Sequence, residues 1–260
     1  MKKFTALLMA LIMATGCTSA AYAADNSADV YVSIANKGEL VVAYEQISVS
    51  DEDSDGKITI NDTLIAAHDE FYKDGTSGYE SKVVPPYDGL SLTKLWGNTN
   101  SGSFGYYVND ASAWSLSDEV KNGDSVYAFA YEDAKTYSDS YAFFNSNTVT
   151  AEKGGTVELT LKRYYYDASF NLVSAPVSGA VITVDGEKTS AVTDKNGKAS
   201  VTLEKSGEHI ISAECDSMII TPPVCVAEVE GGSILDTVIS VIRYIIEAVI
   251  SLVKSVISAF

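Results

Sequence analysis

The sequence predicts a mainly β chain, with an α+β first domain, a β-sandwich after it and a C-terminal amphipathic helix. Three observations carry that reading. Short runs alternating apolar and polar residues recur between residues 29 and 230, divided by Gly, Asn and Asp turn signals. In the first half, Leu64, Ile65, Ala67, His68 and Phe71 follow a helical period. From Ile234 to Phe260 there is neither proline nor glycine, and the polar residues recur every three or four positions.

In chain order, Met1-Lys2-Lys3 precedes an apolar run from Phe4 to Thr15, and Ala21-Tyr22-Ala23 offers a small-x-small cleavage site. Residues 1–23 therefore read as a secretory signal peptide. A lipid-attachment site at Cys17 is the competing reading, with Ala14 a poor fit to it. The formal charge of the whole chain is −17, and cleavage after Ala23 would remove Lys2 and Lys3, leaving −19. Such a chain is repelled by nucleic acid and by anionic lipid, and it attracts cations.

Residues 29–35 and 39–49 read as two strands joined by the Asn36-Lys37-Gly38 turn. Directly behind them lies Asp51-Glu-Asp-Ser-Asp-Gly-Lys-Ile-Thr-Ile-Asn-Asp62. Asp51, Asp53 and Asp55 alternate, Gly56 permits a sharp bend, the Lys57 carbonyl and Thr59 supply further oxygens, and Asp62 closes the loop. This is the spacing of an EF-hand-type calcium loop, in which alternate residues turn oxygens toward one point. An ordinary acidic turn is the alternative, since Asp, Gly and Ser are common turn residues. Asp62 stands where such a loop usually has Glu, a substitution that resembles dockerin modules, although those carry two loops and one is visible here. Asn61 or Asp62 is expected to cap the helix, which Lys73-Asp74-Gly75 ends. His68, lying on that helix without a second His or Cys placed for zinc, reads as structural.

Strands follow at residues 90–96, 103–110 and 125–131, and a further pair near 142–144 and 156–161 closes a first domain at residues 29–163. Three motifs in it, Ile58-Thr-Ile-Asn-Asp-Thr-Leu64, Gly105-Tyr-Tyr-Val-Asn109 and Gly123-Asp-Ser-Val126, resemble the β-grasp-type domain of unknown function related to the C-terminal domain of transcobalamin and intrinsic factor. The resemblance implies a β-grasp with the acidic loop elaborating its strand-to-helix junction. Cobalamin binding belongs to relatives with an α-barrel partner domain, which is not seen here. Sixteen tyrosines suggest a glycan platform, against which stands the ordinary role of strand tyrosines as half-buried sheet residues. Glu132, Asp133 and Asp139 lie close enough in sequence to hold an ion, without a diagnostic spacing.

Residues 168–230 carry short strands between turns every eight to twelve residues, the mark of a sandwich. Gly179-Ala-Val-Ile-Thr-Val-Asp-Gly186 and Thr193-Asp-Lys-Asn-Gly-Lys-Ala199 are similar to the immunoglobulin-like repeats of bacterial surface proteins, which implies a spacer or adhesion unit. Once Cys17 is removed, Cys215 and Cys225 form a single pair, expected as a disulfide in an oxidising compartment.

Residues 234–260 are long enough to span a bilayer. Arg243 and Lys254 would each cost about 2.5–3.5 kcal/mol at its centre, nearly cancelling the apolar gain. The polar stripe instead predicts a helix lying on a membrane or bundling with copies of itself. No nucleophile–base pair, zinc motif or nucleotide fingerprint is present. The expected function is a secreted bacterial cell-surface binding or adhesion protein, non-enzymatic and calcium-stabilised, with an unidentified protein or glycan partner. The rival readings are a carrier of cobalamin or glycan and a membrane-active secreted protein.

Overall fold

A computed structural model describes residues 27–231 except 87, 168 and 170, together with 238, 239, 241–246 and 249. The expected signal peptide and most of the expected tail helix lie outside these residues. The chain is mainly β, as its alternating pattern predicts.

Seven strands and one helix build the first unit. They are β1 (Ser27–Asn36), β2 (Glu39–Ser50), α1 (Ile60–Phe71), β3 (Glu80–Val83), β4 (Leu90–Lys94), β5 (Phe104–Val108), β6 (Ala111–Ser112) and β7 (Ser125–Ala130). The main sheet has the order β2-β1-β7-β5-β6, with β1 and β7 parallel at its centre and the other pairs antiparallel. First and last strands side by side, with one helix across the sheet, make the grasp arrangement. Strands β3 and β4 form a separate hairpin. Ile60, Leu64 and Ala67 of α1 are completely buried against Val30, Val32 and Ile34 of β1. Each such Leu or Ile contributes about 1.5–3 kcal/mol. The helix is thus held mainly by its buried face.

The helix begins earlier than expected. Its N-cap is Thr59, not Asn61 or Asp62, and Asp62 instead takes the third helical position of a capping box.

The second unit consists of β8 (Ala142–Phe144), β9 (Thr148–Glu152), β10 (Gly155–Tyr166), β11 (Leu172–Pro176), β12 (Val181–Val184), β13 (Glu187–Val192), β14 (Lys198–Leu203), β15 (Gly207–Glu214) and β16 (Cys225–Glu230). One sheet runs β11-β10-β14 with β8 also on β10, and the other runs β13-β12-β15-β16-β9. A single core lies between them, including Leu159 and Leu161 of β10, Val201 of β14, Ile182 of β12 and Ile211 of β15. The pairings β10–β14 and β12–β15–β16 match those of an immunoglobulin-like sandwich.

The ladders move the expected boundary at residue 163. Strand β9 pairs with β16, and β10 pairs with β14, so residues 142–166 build the sandwich. Alternation identifies a strand without saying which sheet will take it, and sequence nearness assigned these to the wrong one. Strands β3, β9, β11 and β13 were absent from the sequence reading. All are short and no residue in them is buried, so their patterns are weak.

An aromatic seam joins the two units. Tyr107 of β5 stacks on Tyr141 at 3.8 Å between ring centroids and 9° between planes, and Phe143 lies over Tyr164 at 5.0 Å. Buried Tyr127 of β7 donates its hydroxyl to the Pro222 carbonyl at 2.7 Å. Many of the ring faces that suggested a glycan platform are therefore spent on one another. Offset pairs of this kind add about 0.5–1.5 kcal/mol beyond their burial.

Gly197, in the turn before β14, has φ +77°, and a Cβ there would lie 2.3 Å from the Leu161 carbonyl oxygen. Gly197→Ala is expected to cost about 2–3 kcal/mol, because it combines a left-handed backbone with a clash against a strand. Urea unfolding of the sandwich measures this. A change under about 0.5 kcal/mol would mean that the turn relaxes freely.

Candidate metal centre

The acidic loop leaves β2 and enters α1, and the structure draws its first three aspartates together. One carboxylate oxygen from each of Asp51, Asp53 and Asp55 lies within 4.8 Å of the others, the only such acidic, His or Cys group of three among the described residues. Backbone donors shape the bend. Asp51 accepts from the Asp55 N–H at 3.0 Å and the Gly56 N–H at 2.8 Å, and Asp55 accepts from the Lys57 N–H at 2.9 Å. Gly56 adopts φ +88°, the left-handed conformation that its place in the motif requires.

The other three predicted ligands are placed differently. Asp62 is completely buried and serves the helix start: it accepts from the Thr59 N–H at 2.9 Å and the Thr59 hydroxyl at 2.6 Å. Its second oxygen accepts the Glu52 N–H at 2.9 Å, which closes the loop mechanically. The Thr59 hydroxyl therefore faces the cap. Lys57 sends its ammonium to Glu119 at 2.8 Å, a half-exposed pair of little energetic weight.

Asn61 has a role the sequence reading missed. Its amide NH₂ donates to Asp53 at 2.8 Å, while its carbonyl oxygen accepts the hydroxyls of Tyr79 at 2.6 Å and Ser81 at 2.8 Å. It thereby ties the loop to β3. Its expected role as one of two possible helix caps was the only available signal, and a β3 unseen in the sequence hid its partners. Partial desolvation, followed by the nearby charge of Asp62, holds the Asp53 carboxyl above the usual carboxylate range. Crowded oxygens on a bent backbone suit a hard divalent cation such as calcium.

The remaining site candidates resolve simply. Asp133 accepts hydroxyls from Thr136 and Ser138, and Asp139 accepts the Glu132 and Asp133 N–H groups, so these acids build their own loop. Cys215 and Cys225 are free thiols, contrary to the expected disulfide. The β15–β16 ladder sets Ile211 opposite Cys225, which leaves Cys215 four residues further along, roughly 13 Å. Burial pushes the Cys225 thiol up to about 12. His209 bridges Asp185 at 2.7 Å and the Lys205 carbonyl at 3.0 Å, a structural role.

Compared with known protein families, the chain matches none. No curated protein matches it either. Among solved structures it is similar to the N-terminal four immunoglobulin domains of Dscam1, at 11% identity over 58% of this chain and 37% of that one, with a TM-score of 0.23. It is also similar to the N-terminal eight immunoglobulin domains of Down Syndrome Cell Adhesion Molecule, at 11% identity, 50% and 20% coverage and a TM-score of 0.22. A third is the ectodomain of the teleost fish polymeric Ig receptor, at 14% identity, 62% and 77% coverage and a TM-score of 0.20. The chain spans well under two thirds of the first two, and TM-scores this low do not amount to a shared overall fold.

His68 sits on α1 behind the loop, fully buried among Tyr72, Tyr79 and Trp96. Its Nε2 accepts the Trp96 N–H at 3.0 Å, so Nδ1 carries the proton donated to the Leu64 carbonyl at 2.6 Å. Burial lowers its pKa to about 4. As the pH falls from about 6.5 to 4, the unfolded chain gains a proton that the folded chain refuses. Stability present above this window is thus lost through it, by about 3 kcal/mol. Relative to His68→Gln, the native chain should lose its advantage across that range in thermal unfolding. A pH-independent difference would contradict the assignment.

Proposed function

We propose that this chain is a secreted, non-enzymatic binding protein of the cell surface whose first unit is clasped by one calcium ion. The observation that carries the reading is the convergence of Asp51, Asp53 and Asp55 at the strand-to-helix junction. Three carboxylates so close repel one another, and a divalent cation removes that repulsion. Calcium is a clasp here and not a switch. Loops of extracellular modules bind at about 10⁻⁴–10⁻³ M, which millimolar calcium keeps filled. Asp51, Asp53 and Asp55 would supply the first oxygens and the Lys57 carbonyl a further one, while Asp62 and the Thr59 hydroxyl hold the helix cap. The strongly acidic composition and the expected signal peptide support an extracellular setting.

Calorimetry on the chain without residues 1–23 should give one calcium bound with a Kd of about 10⁻⁴ M. Asp53→Ala with Asp55→Ala should abolish the heat. Absence of heat with the unaltered chain ends the calcium reading.

The tail supports attachment to a membrane or to a second copy of the chain. Among the described residues of this helix, Val238, Ile239, Ile242, Ile245, Ile246 and Val249 are 46–54% exposed. Liposome flotation and analytical ultracentrifugation, each with and without residues 231–260, separate the two. Loss of flotation on deletion indicates lipid, and loss of oligomers indicates self-assembly. A deletion without effect on either rejects the tail as an attachment device.

A further inference from the structure

Away from the acidic loop, a cleft of about 730 Å³ opens between the β1–β2 hairpin and the sandwich. That volume falls in the range of small-molecule sites. Two tight turns frame it. Lys37 and Gly38 have φ 52° and 81°, and Asp185 and Gly186 have φ 51° and 80°, both being two-residue hairpin turns of the kind that matches strand twist. Each turn is pinned. The Lys37 N–H donates to the Ala130 carbonyl at 3.1 Å, and the Asp185 carboxylate accepts the Ile210 N–H at 2.9 Å and contacts His209.

The third wall, between β15 and β16, is held as firmly. The Ser140 N–H donates to the Ile219 carbonyl at 3.0 Å, the Thr221 N–H donates to the Ser140 carbonyl at 2.9 Å, and Tyr127 holds the Pro222 carbonyl. The cleft is therefore pre-formed, so a ligand entering it need not order a loop.

Its lining has two characters. Leu40, Ala43, Ile210, Met218, Ile220 and Pro222 supply apolar surface, while Glu39, Glu132, Asp185, Glu214 and Asp216 supply carboxylates. Among the described residues, no lysine or arginine lines it. Asp185 is engaged by His209, and Glu214 by Lys188 at 2.9 Å. Among the described residues, no hydrogen bond or ion pair is made by the carboxylates of Glu39 and Glu132. The Glu132 carboxylate lies so close over the hairpin turn that a Cβ on Gly38 would be 2.6 Å from its Oε2. Apolar surface beside the two uncompensated carboxylates of Glu39 and Glu132 favours a ligand with an apolar body and a positive charge, and it disfavours anions.

We propose that this cleft binds a small organic cation, an ammonium group carried on an aromatic or aliphatic body. The ammonium lies between Glu39 and Glu132, and the body lies on Ile210, Met218 and Ile220. The site is independent of the calcium reading, because it shares no residue with the acidic loop.

Titration of the chain without residues 1–23, followed by NMR, tests this with three probes of one shape: 2-phenylethylammonium, 2-phenylethanol and 3-phenylpropionate. The expected result is saturable binding of the ammonium, weaker binding of the alcohol and none of the carboxylate. Glu39→Gln with Glu132→Gln should weaken the ammonium about tenfold or more. A matched pair, Glu152→Gln with Glu158→Gln on the far strands, should leave it unchanged. Met218→Lys, which places the protein's own ammonium in the cleft, should block binding while the unfolding midpoint shows the chain still folded. Equal affinity for ammonium and alcohol, equal loss in both double variants, or no saturable binding overturns the proposal.

Discussion

A completely buried carboxylate must have both oxygens hydrogen-bonded, and Asp62 is that carboxylate. Its partners are the Thr59 N–H, the Thr59 hydroxyl and the Glu52 N–H. One oxygen fixes where α1 starts and the other fixes where the loop starts, so the residues between them must bend back. Asp51, Asp53 and Asp55 converge because the chain is held at both ends of the loop. The cap and the acidic cluster are therefore one device, in which a helix terminus positions three charges that would otherwise separate.

A second constraint acts at the seam between the units. Tyr107, Tyr141, Phe143 and Tyr164 stack in series, and Tyr127 spends its hydroxyl on Pro222. Such a seam resists sliding, because aromatic offsets are directional in a way that aliphatic packing is not. It also explains why the cleft above the β1–β2 hairpin has fixed walls: the hairpin and the segment between β15 and β16 are fastened to the same stack.

The legible parts of the fold were those written in local chemistry. The alternation of β1, β2 and β14 read correctly, as did the apolar face of α1, because burying one face leaves a period in the sequence. Gly56 and the three alternating aspartates were legible because a bent loop needs those residue types in that order. What failed was non-local. Assigning β8 and β10 to the first unit, and pairing Cys215 with Cys225, both depended on register, which the sheet partners set. Asn61 was hidden for the same reason, since its meaning comes from Tyr79, just before a short polar hairpin strand, and Ser81 on it. The cleft was illegible because its acids come from Glu39, Glu132 and Glu214, which no sequence spacing relates.

Strand β2 connects these features. It starts at Glu39 on the cleft and ends at Ser50 beside the acidic loop, a run of twelve residues and roughly 40 Å. It is also an edge strand, paired in its sheet with β1 alone. An edge strand is the element most free to fray or to pair with another chain. Here its first end is fixed by a tight hairpin turn, and its last end runs into a loop tied to a helix cap. A cation clasping that loop would complete the restraint at the end where repulsion between the aspartates otherwise works against it. Negative charge thus lies at both ends of one strand: beyond its last residue the charge would hold the fold once a cation is bound, and at its first residue it faces solvent beside an apolar floor.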